Sequence, residues 1–514
     1  MSEEIESAKG AAVTLHSRLV KSLGLLDASM IVAGSMIGSG IFIVSADIAR
    51  QVGSPGLLLV VWLASGLITT MAALCYGELA AAMPASGGPY VFLRESLGPL
   101  WGFLYGWTTL LVIQTATIAA VAIAFSSFSG VLFPRVSASA WVWELGTFGP
   151  YKMWSEVLGP YHVGLNTQNL LALSTIVFLT WINTRGLRIG AVVQNIFTIV
   201  KIAALGGLTL LCFVFATQAA RSANFSNLWR NGNPGGLHAY QVGQNAVWVS
   251  TLTLIALATV GALFSSSAWT GVTYIAGEVR DPRRNLPLAL ALGTGTVTLL
   301  YVLANLAYLR ALPMVGTAGA GSVFQRGIQF ATADRVGTAA AEVTIGASGA
   351  ALMSIVVMIS TFGCNNGLIL AGARVYYAMA KDGLFFSSVG AMNKHNAPWA
   401  ALWIQCIWAS FLCLSGTYAQ LLDFLVFAVL MFYILTILGL FVLRFRRPDM
   451  ERPYRVFGYP VLPGLFLLLA SFIEVQLLRY KPQYTWPGLA IIVSGAPVYW
   501  LLQQSQNLKS RRNA

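Results

Sequence analysis

The chain has 514 residues, of which 57% are hydrophobic and only 10% charged. A water-soluble domain carries roughly 25% charged residues, so this composition excludes a soluble enzyme and places the chain among integral membrane proteins with apolar segments spread along their length. The formal net charge of +13 does not gather into a patch interleaved with aromatics, and membrane topology explains it better than a nucleic-acid partner.

The first 25 residues are of mixed charge and lack the apolar core of a signal peptide, so the first apolar segment is expected to be retained. Windows of about 20 apolar residues then mark twelve spans, centred near Ile37, Ala64, Ile118, Ile176, Leu208, Leu257, Leu299, Val357, Trp408, Leu430, Leu469 and Ile492. Clusters of Pro, Gly and Arg at Met83–Pro89, Arg280–Pro287, Asn393–Pro398 and Arg444–Pro453 end helices and keep loops in water. The predicted fold is all-α and membrane-embedded. Lys and Arg are in excess on the side that holds both termini, which predicts cytoplasmic termini.

The first span is interrupted by "GSMIGSGIF", Gly34 to Phe42. A glycine inside a helix costs about 1 kcal/mol relative to alanine, and lipid offers nothing to pair with freed backbone groups. The sixth span is interrupted in the same way by "FSSSAWTG", Phe264 to Gly271. Two breaks five spans apart suit an inverted repeat of five helices plus five, with two helices appended. The expected organisation is a tail over 1–24, a ten-helix core over 25–443 with repeats at about 25–218 and 246–443, a basic loop over 444–458, helices eleven and twelve over 459–504, and a tail over 505–514.

Amides at Ser39 and Gly40 would open a half-helix, whose N-terminus favours an anion, and carbonyls freed at the breaks would accept from an ammonium. Together they match the zwitterion of an α-amino acid. Gly38 and Gly40 would let a ligand approach the backbone without a Cβ in the way. Close helix packing would explain one small-residue run, with Gly34 and Gly38 at the right spacing; a second run at the second break favours a site.

Several other residues stand out. Lys201 lies halfway along the fifth span, where a lysine costs roughly 2.5 kcal/mol or more unless paired or hydrated, which makes it a functional candidate. Glu78 and Glu278 end spans two and six near Arg94, Arg280 and Arg283, and read as cytoplasmic gate or structural ion pairs. Arg374 is expected to snorkel, Trp269 to pack, and Gln114 to line a pocket or bridge helices. Asp423 sits near an outer helix end, and Glu474 has no partner evident in sequence. Cys75, Cys212, Cys364, Cys406 and Cys413 all fall in apolar stretches and are expected to be free buried thiols, with no zinc site. His16, His162, His238 and His395 are far apart, and no Walker A or hydrolase motif occurs. No metal, cofactor or ATP site is expected.

The stretch "IVAGSMIGSGIF" resembles the first helix of the amino acid, polyamine and organocation transporter family, in particular bacterial members of its L-type amino acid transporter branch. The resemblance continues through Tyr76–Trp107, Gln194–Leu205, Phe264–Leu290, Tyr301–Pro313 and Asn366–Gly383, and so covers most of spans one to eight in order. It implies a substrate carboxylate on Ser39 and Gly40 with Ser35 nearby, an ammonium on the carbonyls of Met36, Phe264 and Ser267, and an aromatic gate at Phe264. Ser267 stands where the branch often has glycine and narrows the side-chain pocket. In sodium-independent relatives a lysine at position 201 resembles a built-in cation between the broken first helix and span eight. The serine expected there falls at Leu368, which leaves Ser360, Thr361, Asn365 or Asn366 as its partner; carrying a coupled proton is its secondary role.

The loop Pro134–Asn166 lacks the cysteine through which eukaryotic L-type carriers hold a glycoprotein partner, so no disulfide-linked heavy chain is expected. The resemblance implies sodium-independent movement of L-α-amino acids across the plasma membrane, of a bacterial inner-membrane kind. A polyamine carrier of the same fold is the alternative, but it would want acidic residues near the breaks. An amino acid sensor is the alternative of a different class.

Overall fold

A computed structural model describes residues 21, 23–149, 151–153, 156–158, 161–185, 188–215, 217–229, 236–242, 245–395, 397–415 and 418–513. The N-terminal tail with His16, and the side chains of His162, Asp423 and 505–514, lie outside the described residues.

The chain is a multi-span helical membrane protein, and helices stand at the predicted centres except Ile37, which falls in the break of the first span. The first span is two half-helices, Leu25–Met36 and Gly40–Val52, bent by 42° at the break. Then come Pro55–Ala82, Pro99–Leu132, Thr167–Asn183, Arg188–Phe215, Thr251–Ser265, Pro282–Ala311, Ala347–Lys381, Trp399–Ser415, Tyr418–Arg446, Val461–Tyr480 and Pro482–Asn513, taken below as spans two to twelve. Among the described residues eight helices are each long and apolar enough to cross a membrane, and the bent pair makes a ninth. Spans four, six and nine have 17, 15 and 17 residues. The sixth continues past its break as the short turns Gly271–Tyr274 and Ala276–Glu278.

Local chemistry sets the ends. Gly53 closes the first span in the left-handed conformation at φ 58°, which costs glycine nothing. Pro55, Pro99 and Pro282 open their helices, where a missing N–H is harmless. The Asn166 side chain accepts from the Asn169 amide at 2.8 Å and caps span four.

Two features go beyond an all-helical reading. The segment after span three is not an irregular loop: strands Trp141–Phe148 and Tyr161–Asn166 pair antiparallel, with a smaller pair at Tyr151–Met153 and Glu156–Leu158. A third hairpin, Leu237–Val242 with Asn245–Ser250, leads into span six. Windows of about 20 residues do not register strands of three to eight residues. Span three also holds a π-helical turn, Thr109–Ile113. The Trp408 Nε1 donates to the Leu111 carbonyl of that turn at 2.8 Å, satisfying a group that the wider turn exposes.

Spans two and seven pack along each other, and span seven also packs on the first half-helix. The two breaks meet beside span seven, with spans three, five, eight and ten around them.

Candidate binding site at the two helix breaks

Four successive carbonyls on the break side of the first half-helix each receive a donor from another span. The Lys201 ammonium donates to Gly34 at 2.9 Å, the Cys364 thiol to Ser35 at 3.3 Å, the Tyr301 hydroxyl to Met36 at 2.8 Å and the Ser360 hydroxyl to Ile37 at 3.0 Å. Spans five, seven and eight together thus replace the hydrogen bonds that a continuous helix would make, as lipid could not. Lys201 is 1% exposed, so it does not snorkel, and the carbonyl takes one of its three donor positions.

On span eight, Ser360 and Cys364 lie one turn apart and bond the Ile37 and Ser35 carbonyls, while Lys201 bonds the Gly34 carbonyl of the first half-helix. Thr361 bonds back to its own helix at Val357 and Met358. Asn366 accepts from Asn183 at 2.8 Å. The Asn365 amide, buried, has no partner among the described residues. Cys364, expected from sequence as a free buried thiol, is one, and its thiol serves the break.

The second break is tied to the first by Tyr301, whose hydroxyl also reaches the Ser265 carbonyl at 3.1 Å. Its ring packs edge-on against Trp62 at 5.4 Å. Ala268 sits within this break at φ 56°, a conformation that costs a non-glycine residue about 1–2 kcal/mol. The Phe264 carbonyl accepts from the Ser267 amide at 3.0 Å and the Ser267 hydroxyl at 2.7 Å. In this conformation the Met36 and Phe264 carbonyls therefore both have internal donors, where the resemblance implied an ammonium. Ser267 uses its added hydroxyl to close its own turn.

Gly40 opens the second half-helix behind Ser39. A Cβ there would lie 2.7 Å from the Ser265 Cβ and 3.0 Å from its Cα, so the missing side chain admits span six, where the sequence suggested room for a ligand. At Gly38 a Cβ would meet the Cys364 sulfur at 3.5 Å, an ordinary contact. Ser35, Met36, Ser39 and Phe264 are all buried beside these glycines. A cavity opens from Ser35 and from Ser267–Gly271 into the space between spans three, eight and ten. Gln114 lines it and also donates to the Leu368 carbonyl at 2.6 Å. Trp269 is fully buried against Tyr76 and Tyr433.

The carboxylates at the helix ends have partners other than those that sequence proximity suggested. Glu78 pairs with Arg444 at 2.6 Å and Arg452 at 3.6 Å, and accepts from the Val456 amide at 2.7 Å. That docks the loop after span ten onto the end of span two. Glu278 pairs with Arg374 at 3.1 Å, and Arg374 is buried in that pair, which corrects the expectation of a snorkelling side chain. Arg94 instead meets Asp382 and Glu95, and Arg283 meets Glu451. Tyr90 donates to Asp382 at 2.7 Å; burial and that carboxylate push its phenol above the ordinary value. Glu474 is buried with no partner for either oxygen among the described residues.

Both ends of the broken span are anchored. At one end Leu23 bridges Val279, with its amide on the Glu278 carbonyl at 3.1 Å. At the other, Arg50 forms a two-pronged pair with Asp334 at 2.6 and 2.9 Å and donates to the Gln329 carbonyl.

The chain matches a family model described as amino acid permease over residues 23–500. It is 31% identical over 501 residues to the large neutral amino acids transporter small subunit 2 of Mus musculus, covering 97% of this chain and 84% of that protein. It is 29% identical to the b(0,+)-type amino acid transporter 1 of Homo sapiens, covering 94% and 88%, and 29% identical to the Asc-type amino acid transporter 1 of Mus musculus, covering 94% and 81%.

Proposed function

The chain belongs to the amino acid permease family, and from that premise we propose that it is a secondary-active carrier of L-α-amino acids that works by alternating access, independently of sodium. The observation that carries this reading is the junction of the two breaks, where Tyr301 ties the Met36 and Ser265 carbonyls together beside the start of the second half-helix. The substrate carboxylate would sit over Ser39 and Gly40, where first-turn amides and the helix dipole favour an anion. The ammonium would compete with the internal donors on Met36, Phe264 and Ser267. Such competition couples binding to rearrangement, because a substrate that takes a carbonyl releases a contact that holds the present conformation.

Lys201 would serve as a fixed cation between the first break and span eight. In that role it removes the need for a sodium ion, and a coupled proton is its secondary use. Phe264 would gate the site, and the Glu78 and Glu278 pairs would close the cytoplasmic side. The breaks in spans one and six suit two inverted repeats of five helices, with spans eleven and twelve appended, both termini cytoplasmic and the whole in a plasma membrane of the bacterial kind.

The names of the relatives, all amino acid transporters, support the substrate class. The cavity lining, which has no Asp or Glu among the described residues, weighs against polyamines. Two relatives' names carry no mention of a subunit and one is called a small subunit. For this chain a carrier without a disulfide-linked partner is proposed, because its five cysteines are all buried.

The test is uptake of labelled amino acids into proteoliposomes with sodium or choline as the external cation. Equal, saturable uptake in both supports the reading. Uptake only with sodium, or of polyamines alone, overturns it.

A further inference from the structure

The cavity between the breaks and spans three, eight and ten has a distinctive chemistry. Its walls carry the hydroxyls of Tyr105, Thr117, Thr270, Tyr274 and Tyr433 and the amide of Gln114, and no charged side chain among the described residues. Tyr105 and Tyr274 share a hydrogen bond of 2.6 Å, and Thr117 is turned back to the Ile113 carbonyl at 2.6 Å.

Gln114 is held in one orientation. Its Nε2 donates to the Leu368 carbonyl at 2.6 Å, and flipping the amide would set two oxygens against each other. Gly372 makes room for it: a Cβ there would lie 2.5 Å from Gln114 Cγ and 2.7 Å from Gln405 Oε1. Gln405 is pinned beside it, its Nε2 donating to the Ile369 carbonyl at 2.6 Å. The π-helical turn Thr109–Ile113 immediately precedes Gln114. With one N–H spent on Leu368, the Gln114 amide keeps its second N–H and the oxygen Oε1, an acceptor.

We infer that this cavity receives the substrate side chain and selects neutral α-amino acids whose side chain carries a hydroxyl or carboxamide donor, with Gln114 Oε1 as the specificity-determining acceptor. This rests on the amino acid reading of the breaks. A charged side chain would be desolvated there without a counter-ion. An aliphatic one would bury the Gln114 amide oxygen without a donor, which costs more than its own burial returns at that atom. A serine, threonine, asparagine or glutamine side chain can donate to Oε1 and accept from a hydroxyl.

The test uses shape-matched pairs competing for binding to the purified full-length protein: L-threonine against L-valine, L-asparagine against L-leucine, and L-glutamine against L-methionine. The donor-bearing member of each pair is expected to bind about tenfold tighter, the worth of one net hydrogen bond. In Gln114→Met that ratio should fall toward one. Equal binding within the wild-type pairs, a preference for the aliphatic members, or an unchanged ratio in the variant would overturn the inference. The wild-type pairs need no variant, so a Gln114→Met protein that fails to fold still leaves a decisive result. Failure of every α-amino acid to bind would instead strike the reading of the breaks.

Discussion

The Tyr301 hydroxyl lies 2.8 Å from the Met36 carbonyl oxygen and 3.1 Å from that of Ser265, so one side chain of span seven holds both helix breaks. Tyr301→Phe keeps the ring against Trp62 and removes only the donor. Losing a buried donor is worth about 1–3 kcal/mol. The variant should therefore melt lower and show a changed maximal uptake rate, because the contact that substrate must loosen is gone. Calorimetry and proteoliposome uptake check the two effects separately.

Lys201 has a different role from an ordinary buried charge, since its donor replaces a missing helix bond on Gly34. Lys201→Met removes both charge and donor, and uptake should be lost while the protein still inserts in the membrane. External sodium should not restore it. Uptake assays at matched expression, with sodium and with choline, measure this.

The Glu278–Arg374 pair is buried, with side-chain exposures of 10% and 7%. Removing one partner strands the other charge, at a cost of about 3–5 kcal/mol. Arg374→Ala should be strongly destabilised, and the double variant Glu278→Gln/Arg374→Met milder than either single change. A double-mutant cycle on melting temperature gives the coupling.

Gly40 and Gly38 separate two explanations of small residues at the break. Gly40→Ala would crowd Ser265 and should cost about 1–3 kcal/mol by overpacking. Gly38→Ala meets Cys364 only at ordinary contact distance and should fold nearly as the parent does. Thermal unfolding of the two variants side by side distinguishes them.

Much of the architecture is legible in the sequence, because lipid forces long apolar runs to be helical and makes a break costly. The helix centres, the breaks at Gly34–Gly40 and Phe264–Gly271 and the buried Lys201 follow from that alone. What escapes is whatever depends on packing between distant spans. Tyr301 looks like any aromatic of an apolar helix until span seven is laid against both breaks. Ser360 is among the span-eight candidates that the sequence offers, whereas Cys364, four residues on along the same helix face, reads in sequence only as a buried thiol. Proximity along the chain misassigns the partners of Glu78 and Glu278, whose arginines come from spans ten and eight. The hairpins after span three and before span six lie outside what apolar periodicity can detect.

The central claim is that the two breaks together bind an α-amino acid. The most direct test is a thermal-shift screen of the purified protein in sodium-free buffer against the twenty amino acids and several polyamines, repeated with Ser39→Trp, which fills the start of the second half-helix. Stabilisation by particular α-amino acids that disappears in Ser39→Trp is the predicted result. Stabilisation by polyamines alone, or by amino acids equally in the parent and the variant, would contradict it.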